Sequence, residues 1–139
     1  MKKLTILMSA AVVMALVIVG CQTGASPEEA VASQLEAFKQ AMLDEDIDAI
    51  MVTYSEDFEH YEWGDKEGAR DFMQQAIDMG YTEGMEVLID DAEIVMQDDG
   101  TAQVYPVDLS GAFGTVTLEL TFAEKDGEWL ITGLDATGI

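Results

Sequence analysis

The stretch EDIDAIMVTYSEDFEHYEWGDKEGARDFM, residues 45–73, decides the fold because its hydrophobic period changes twice. Ile47, Ile50, Met51 and Tyr54 recur at helical spacing behind Asp46, a residue suited to cap a helix. From Ser55 to Trp63 the spacing predicts a strand, with Phe58, His60 and Glu62 on one face and Glu59, Tyr61 and Trp63 on the other. Gly64-Asp65 breaks that strand and Asp65 caps a third helix, in which Ala69, Phe72, Met73, Ala76 and Ile77 face inward. Gly80 stands where a helix stop belongs.

Upstream, Ser26-Pro27-Glu28-Glu29 is a helix start: serine caps, proline suits the first helical position, and the glutamate completes a capping box. Val31, Leu35, Phe38 and Met42 then form one apolar stripe, and Asp44-Glu45-Asp46 ends the helix. Downstream the chain reads as strands over 85–97, 101–110, 115–125 and 128–134. Asp98-Asp99-Gly100 and Asp126-Gly127 are hairpin turns. Val116, Leu118, Leu120 and Phe122 alternate with Thr115, Thr117, Glu119 and Thr121, as in a strand with one buried face. The phase changes between Val87-x-Ile89 and Ala92-x-Ile94-x-Met96, which implies a bulge near Asp90-Asp91. Pro106 lacks a ladder donor and marks an edge or a second bulge.

The other end of the chain carries a different signal. Lys2 and Lys3 precede an apolar run from Leu4 to Val19, the pattern of a secretory signal and too short for a confident membrane span. Ile18-Val19-Gly20-Cys21 resembles the lipobox of bacterial lipoproteins, which implies cleavage before Cys21 and lipidation of its thiol. Residues 1–20 are then a signal peptide, 21–25 a lipidated tether and 26–139 the domain. This places the protein at the cell envelope, anchored in a membrane through lipid on Cys21. Gln22 in place of aspartate directs it to the periplasmic face of an outer membrane where the cell has one.

All 28 acidic residues follow Cys21, against Lys39, Lys66, Arg70 and Lys125, so the domain carries 4 − 28 = −24 charges. Nucleic acid is excluded as a partner by repulsion, and so is an anionic lipid surface. The acids are dispersed, which describes a charged surface, and a saline habitat accounts for it: the Debye length falls to about 3 Å near 1 M salt. One histidine and one lipidated cysteine cannot build a zinc site. Asp44, Asp46 and Asp48 match three ligand spacings of a calcium loop, but Ala49 replaces its glycine and Ser55 its bidentate glutamate. No metal and no cofactor is expected.

Helix, helix, strand, helix and four antiparallel strands make an α+β fold, a cone-shaped bent antiparallel sheet covered by three helices from the N-terminal half. On EDIDAIMVTYSEDF (45–58), GDKEGARDFM (64–73) and KDGEWLITGLD (125–135), the chain resembles the cystatin-like, nuclear-transport-factor-2-like superfamily that includes SnoaL-like and ketosteroid-isomerase-like proteins. The resemblance implies an interior lined by Phe38, Tyr54, Phe58, Phe72, Tyr105 and Trp129, and homodimerisation through the convex sheet face. By position it places Glu62 where isomerase-like relatives carry a general base, with His60 beside it, but puts Phe38 where they carry the oxyanion's hydroxyl donor. Losing such a donor costs about 10²–10³ in rate. Two readings follow: a non-catalytic cone that holds a small apolar molecule or pairs with a protein, and a small cofactor-free lyase or isomerase using Glu62 and His60.

Overall fold

The computed structural model describes residues 26–138; the signal segment, Cys21 and the tether lie outside the described residues. Three helices come first: α1 (Pro27–Leu43), α2 (Ile47–Val52) and α3 (Lys66–Asp78). Each begins where a side-chain oxygen replaces a missing backbone acceptor. Ser26, Asp46 and Asp65 accept from the N–H groups of Glu29, Ala49 and Gly68 at 3.2, 3.1 and 3.0 Å. Such a cap contributes about 1 kcal/mol. Gly80 turns the chain after α3 with φ +77°, a conformation open to glycine without steric cost.

Five strands follow: β1 (Glu86–Leu88), β2 (Glu93–Met96), β3 (Ala102–Gly111), β4 (Gly114–Lys125) and β5 (Glu128–Thr137). They form one antiparallel sheet in which β1 and β2 share an edge of β3, followed by β4 and β5. The expected single strand over 85–97 is interrupted into two pieces that run the same way along β3, with a bulging turn at Asp90-Asp91, the place expected for a bulge, where Ala92 N–H bonds the Ile89 carbonyl at 3.0 Å. The β3–β4 register shifts between Val104 and Val107, at Pro106, and the β4–β5 register shifts between Thr121 and Phe122. These irregularities bend the sheet around the helices.

The core takes Val31, Leu35 and Phe38 from α1, Ile50 from α2, and Val104, Val107, Leu120, Phe122 and Ile131 from the concave sheet face. Its residues span Val31 to Leu134, so the segment from Ser26 onward holds a complete core of its own.

The predicted strand Ser55–Trp63 is not a strand. One step pairs with β5, where Ser55 N–H bonds the Ile131 carbonyl and Ile131 N–H bonds that of Thr53, both at 2.8 Å. The chain then folds back on itself, with His60 and Gly64 exchanging backbone hydrogen bonds of 2.7 and 2.9 Å. Ion pairs Lys66–Glu56 at 2.7 Å and Lys125–Asp57 at 2.8 Å hold the loop from either side. Both are largely exposed, so each is worth no more than about 1 kcal/mol.

Candidate functional site

The mouth of the cone opens into a cavity of about 340 Å³. Phe38 and Met42 of α1, Tyr54 after α2, and Phe72, Met73 and Ala76 of α3 form one wall. Leu109, Val116, Leu118, Leu134 and Ala136 of the sheet form the other, closed by Trp63, Tyr81, Thr82, Met85 and Phe113 from loops and turns. Phe72, Tyr81 and Phe113 are 43, 44 and 41% exposed and mark the rim.

Trp63 reaches this wall because of two local features. Gly68 sits in the first turn of α3, where a Cβ would overlap the Trp63 carbonyl, so only glycine lets that backbone lie against the helix. His60 fixes the turn from inside: its Nδ1 accepts the N–H groups of Glu62 at 3.1 Å and Trp63 at 3.4 Å. Nδ1 thus serves as a structural acceptor for the turn. The His60 and Trp63 rings stack at 4.0 Å, and Trp63 stacks in turn on Phe72 at 4.4 Å.

Four lining residues carry a polar group: the hydroxyls of Tyr54, Tyr81 and Thr82 and the indole N–H of Trp63. Burial pushes the ionisation of the Tyr54 hydroxyl far up, with no hydrogen bond contributing to the shift. The Tyr54 hydroxyl has no side-chain partner among the described residues, and Tyr54 borders the cavity. Burial keeps it a protonated donor at neutral pH. Thr82, also buried, has committed its proton: Oγ1 donates to Glu45 Oε1 at 2.6 Å. Glu45 follows the C-cap of α1 in the αL conformation, φ +53°, where its N–H bonds the Met42 carbonyl at 3.2 Å and Asp46 N–H bonds that of Ala41 at 3.1 Å.

The expected acid–base pair does not converge on the cavity. Glu62 is exposed, because the chain folds back where the alternation assumed a strand. His60 is buried, but stacked behind Trp63 with its free acceptor used by backbone. Of the six residues expected in the pocket, Phe38, Tyr54 and Phe72 line it. Phe58 and Trp129 are buried in the core outside it. Tyr105 is 51% exposed on the outer sheet face, since Val104 points in and its neighbour must point out. Glu119 lies on that same outer face, opposite Asp135. Asp44, Asp46 and Asp48 are spent separately, on Gln40, the α2 cap and Arg70, and among the described residues no three metal-ligating side chains converge.

Met42 and Met73, inward-facing methionines suited to an adaptable apolar lining, do line it, whereas Trp63, Tyr81, Met85 and Phe113 lie outside the expected pocket set.

No protein-family model matches the chain, and no curated protein matches it. Solved structures share the fold. A cystatin-like protein of unknown function from Nostoc punctiforme is 17% identical, with TM-score 0.60 over 78% of this chain and 87% of that one. An NTF2-like protein of unknown function from Pseudomonas putida is 15% identical, with TM-score 0.66 over 81% and 86%. A candidate dehydratase of the NTF2-like family from Streptomyces avermitilis is 18% identical, with TM-score 0.62 over 81% and 95%. The fold is thus cystatin-like, of the NTF2-like class, as the three quoted motifs implied.

Proposed function

We propose that this domain is a non-catalytic binding module for a small, mostly apolar molecule bearing one hydrogen-bond acceptor, presented at the cell envelope by the lipid on Cys21. The carrying observation is the cavity, lined mainly by apolar side chains, with Tyr54, Trp63, Tyr81 and Thr82 as the residues that carry a polar group. Its 340 Å³ falls within the range of about 300–1,000 Å³ typical of ligand pockets. In this reading an acceptor on the ligand pairs with the hydroxyl of Tyr54, a cavity-lining residue with no other partner among the described residues. An enzyme using Glu62 and His60 is disfavoured because a general base must come within hydrogen-bond reach of its proton. No carboxylate or imidazole lines the wall, and burial keeps Tyr54 protonated.

Thermal unfolding with added aryl esters and ketones tests this. A ligand at 100 times its Kd stabilises by about 2.7 kcal/mol. Met73→Trp, which fills the cavity, is expected to abolish the shift while circular dichroism shows the fold intact. Stabilisation that survives this substitution would place the ligand elsewhere.

A further inference from the structure

We propose that the cavity selects a monovalent organic cation, a tertiary or quaternary ammonium on an apolar body, over neutral or anionic molecules of the same shape. This rests on the cavity being a binding site and adds the charge of its ligand.

Three observations carry it. The first is the field. With 28 acids and four bases the domain holds −24, and three of the four bases, Lys66, Arg70 and Lys125, are already engaged with carboxylates. No lysine or arginine lines the cavity. For a sphere of about 17 Å radius, the size of a chain of this length, Debye lengths of about 8 Å and 3 Å screen that charge at 0.15 M and 1 M salt. A cation is then favoured over its neutral isostere by roughly 20-fold at the lower salt and roughly fourfold at the higher. An anion is disfavoured to the same degree.

The second is the wall chemistry. An anion would need charged or convergent donors, and the lining offers neutral ones only, the Tyr54 and Tyr81 hydroxyls and the Trp63 indole N–H, while Thr82 gives its proton to Glu45. Tyr81 and Phe113 stand half-exposed at the rim, and among the described residues neither stacks on another ring. Their faces are left for a cation, which aromatic rings attract through their quadrupole.

The third is Glu45. Its side chain accepts the Thr82 hydroxyl across 37 residues of sequence. That holds a carboxylate one hydroxyl away from the cavity.

The test compares benzoylcholine with 3,3-dimethylbutyl benzoate, its neutral isostere, by calorimetric titration of the chain from Ser26 onward. Both carry an ester carbonyl for Tyr54. The cation is expected to bind at least tenfold tighter at 0.15 M salt, with the ratio shrinking severalfold at 1 M. Glu45→Gln, which still accepts from Thr82, is expected to weaken the cation severalfold and leave the ester unchanged. Equal affinities, or a salt-independent ratio, overturn the charge preference while the cavity reading stands. Failure of both molecules to bind removes the cavity reading and this inference together.

Discussion

Replacing Tyr54 by phenylalanine removes one oxygen from the cavity wall and leaves the ring that packs edge-on against Phe58 at 4.8 Å. That oxygen bonds no described protein group, so its loss at pH 7 is expected to change stability by less than about 0.5 kcal/mol, whereas a buried hydrogen-bonded hydroxyl would cost about 1 kcal/mol or more. Alkaline pH separates the two proteins. Burial raises the hydroxyl's pKa in the fold above the value of 10.0 that an unburied tyrosine has, so the unfolded chain ionises first. A raised pKa contributes stability that is complete below the unfolded value and is lost as pH climbs toward the folded one. The slope is about 1.4 kcal/mol per pH unit for a single group. Between pH 10 and 11 the wild type should therefore lose about 1 kcal/mol that Tyr54→Phe keeps, with all other tyrosines common to both. Urea unfolding at pH 7, 10 and 11 in constant salt measures it. Parallel pH profiles for the two proteins would refute the buried, unpartnered hydroxyl, and so would a loss above 1.5 kcal/mol at pH 7.

Further outcomes follow from other parts of the fold. Gly68→Ala removes a helix-disfavouring residue yet is expected to destabilise by about 1–3 kcal/mol, because its methyl overlaps the Trp63 carbonyl; denaturant midpoints and Trp63 fluorescence report it, and a more stable variant contradicts the close approach. Glu62→Gln, on an exposed position, is expected to leave both stability and ligand affinity unchanged within error. Unfolding midpoints should rise from 0.1 to 1 M sodium chloride as screening relieves the repulsion of −24 charges, and a falling midpoint would contradict that electrostatic account. Pairing of two copies through the outer sheet face would oppose Glu119 and Asp135 of each, so sedimentation should show it tighten with salt.

Local signals made most of the fold legible. Ser26, Asp46 and Asp65 announce three helices because a cap is a contact within four residues. The alternation of β4 reports a half-buried strand, and Asp126-Gly127 takes the two positive φ values, +52° and +84°, that its hairpin needs. The candidate site was less legible because its wall is assembled from distant pieces. Ser55–Trp63 alternates like a strand, but its hydrogen bonds go to β5 carbonyls, to Gly64 and to the His60 ring, which periodicity does not encode. Glu62 was misplaced for that reason. Tyr105 points outward because Ala102 and Val104 take the inner face of β3 just ahead of the shift at Pro106, an alternation the resemblance does not carry. Trp63 needed a clue two steps removed, the glycine at 68 that lets its backbone in.

The methionine methyl groups provide the most direct test of a ligand-holding cone. Met42, Met73 and Met85 line the cavity, Met51 is buried elsewhere, and Met79 and Met96 are 55% and 37% exposed. In a proton–carbon correlation spectrum titrated with 3,3-dimethylbutyl benzoate or benzoylcholine, the signals of Met42, Met73 and Met85 are expected to move together and saturate. Those of Met51, Met79 and Met96 should stay in place. Movement confined to the exposed pair, or no saturable movement at the three cavity positions with either probe, would contradict the account.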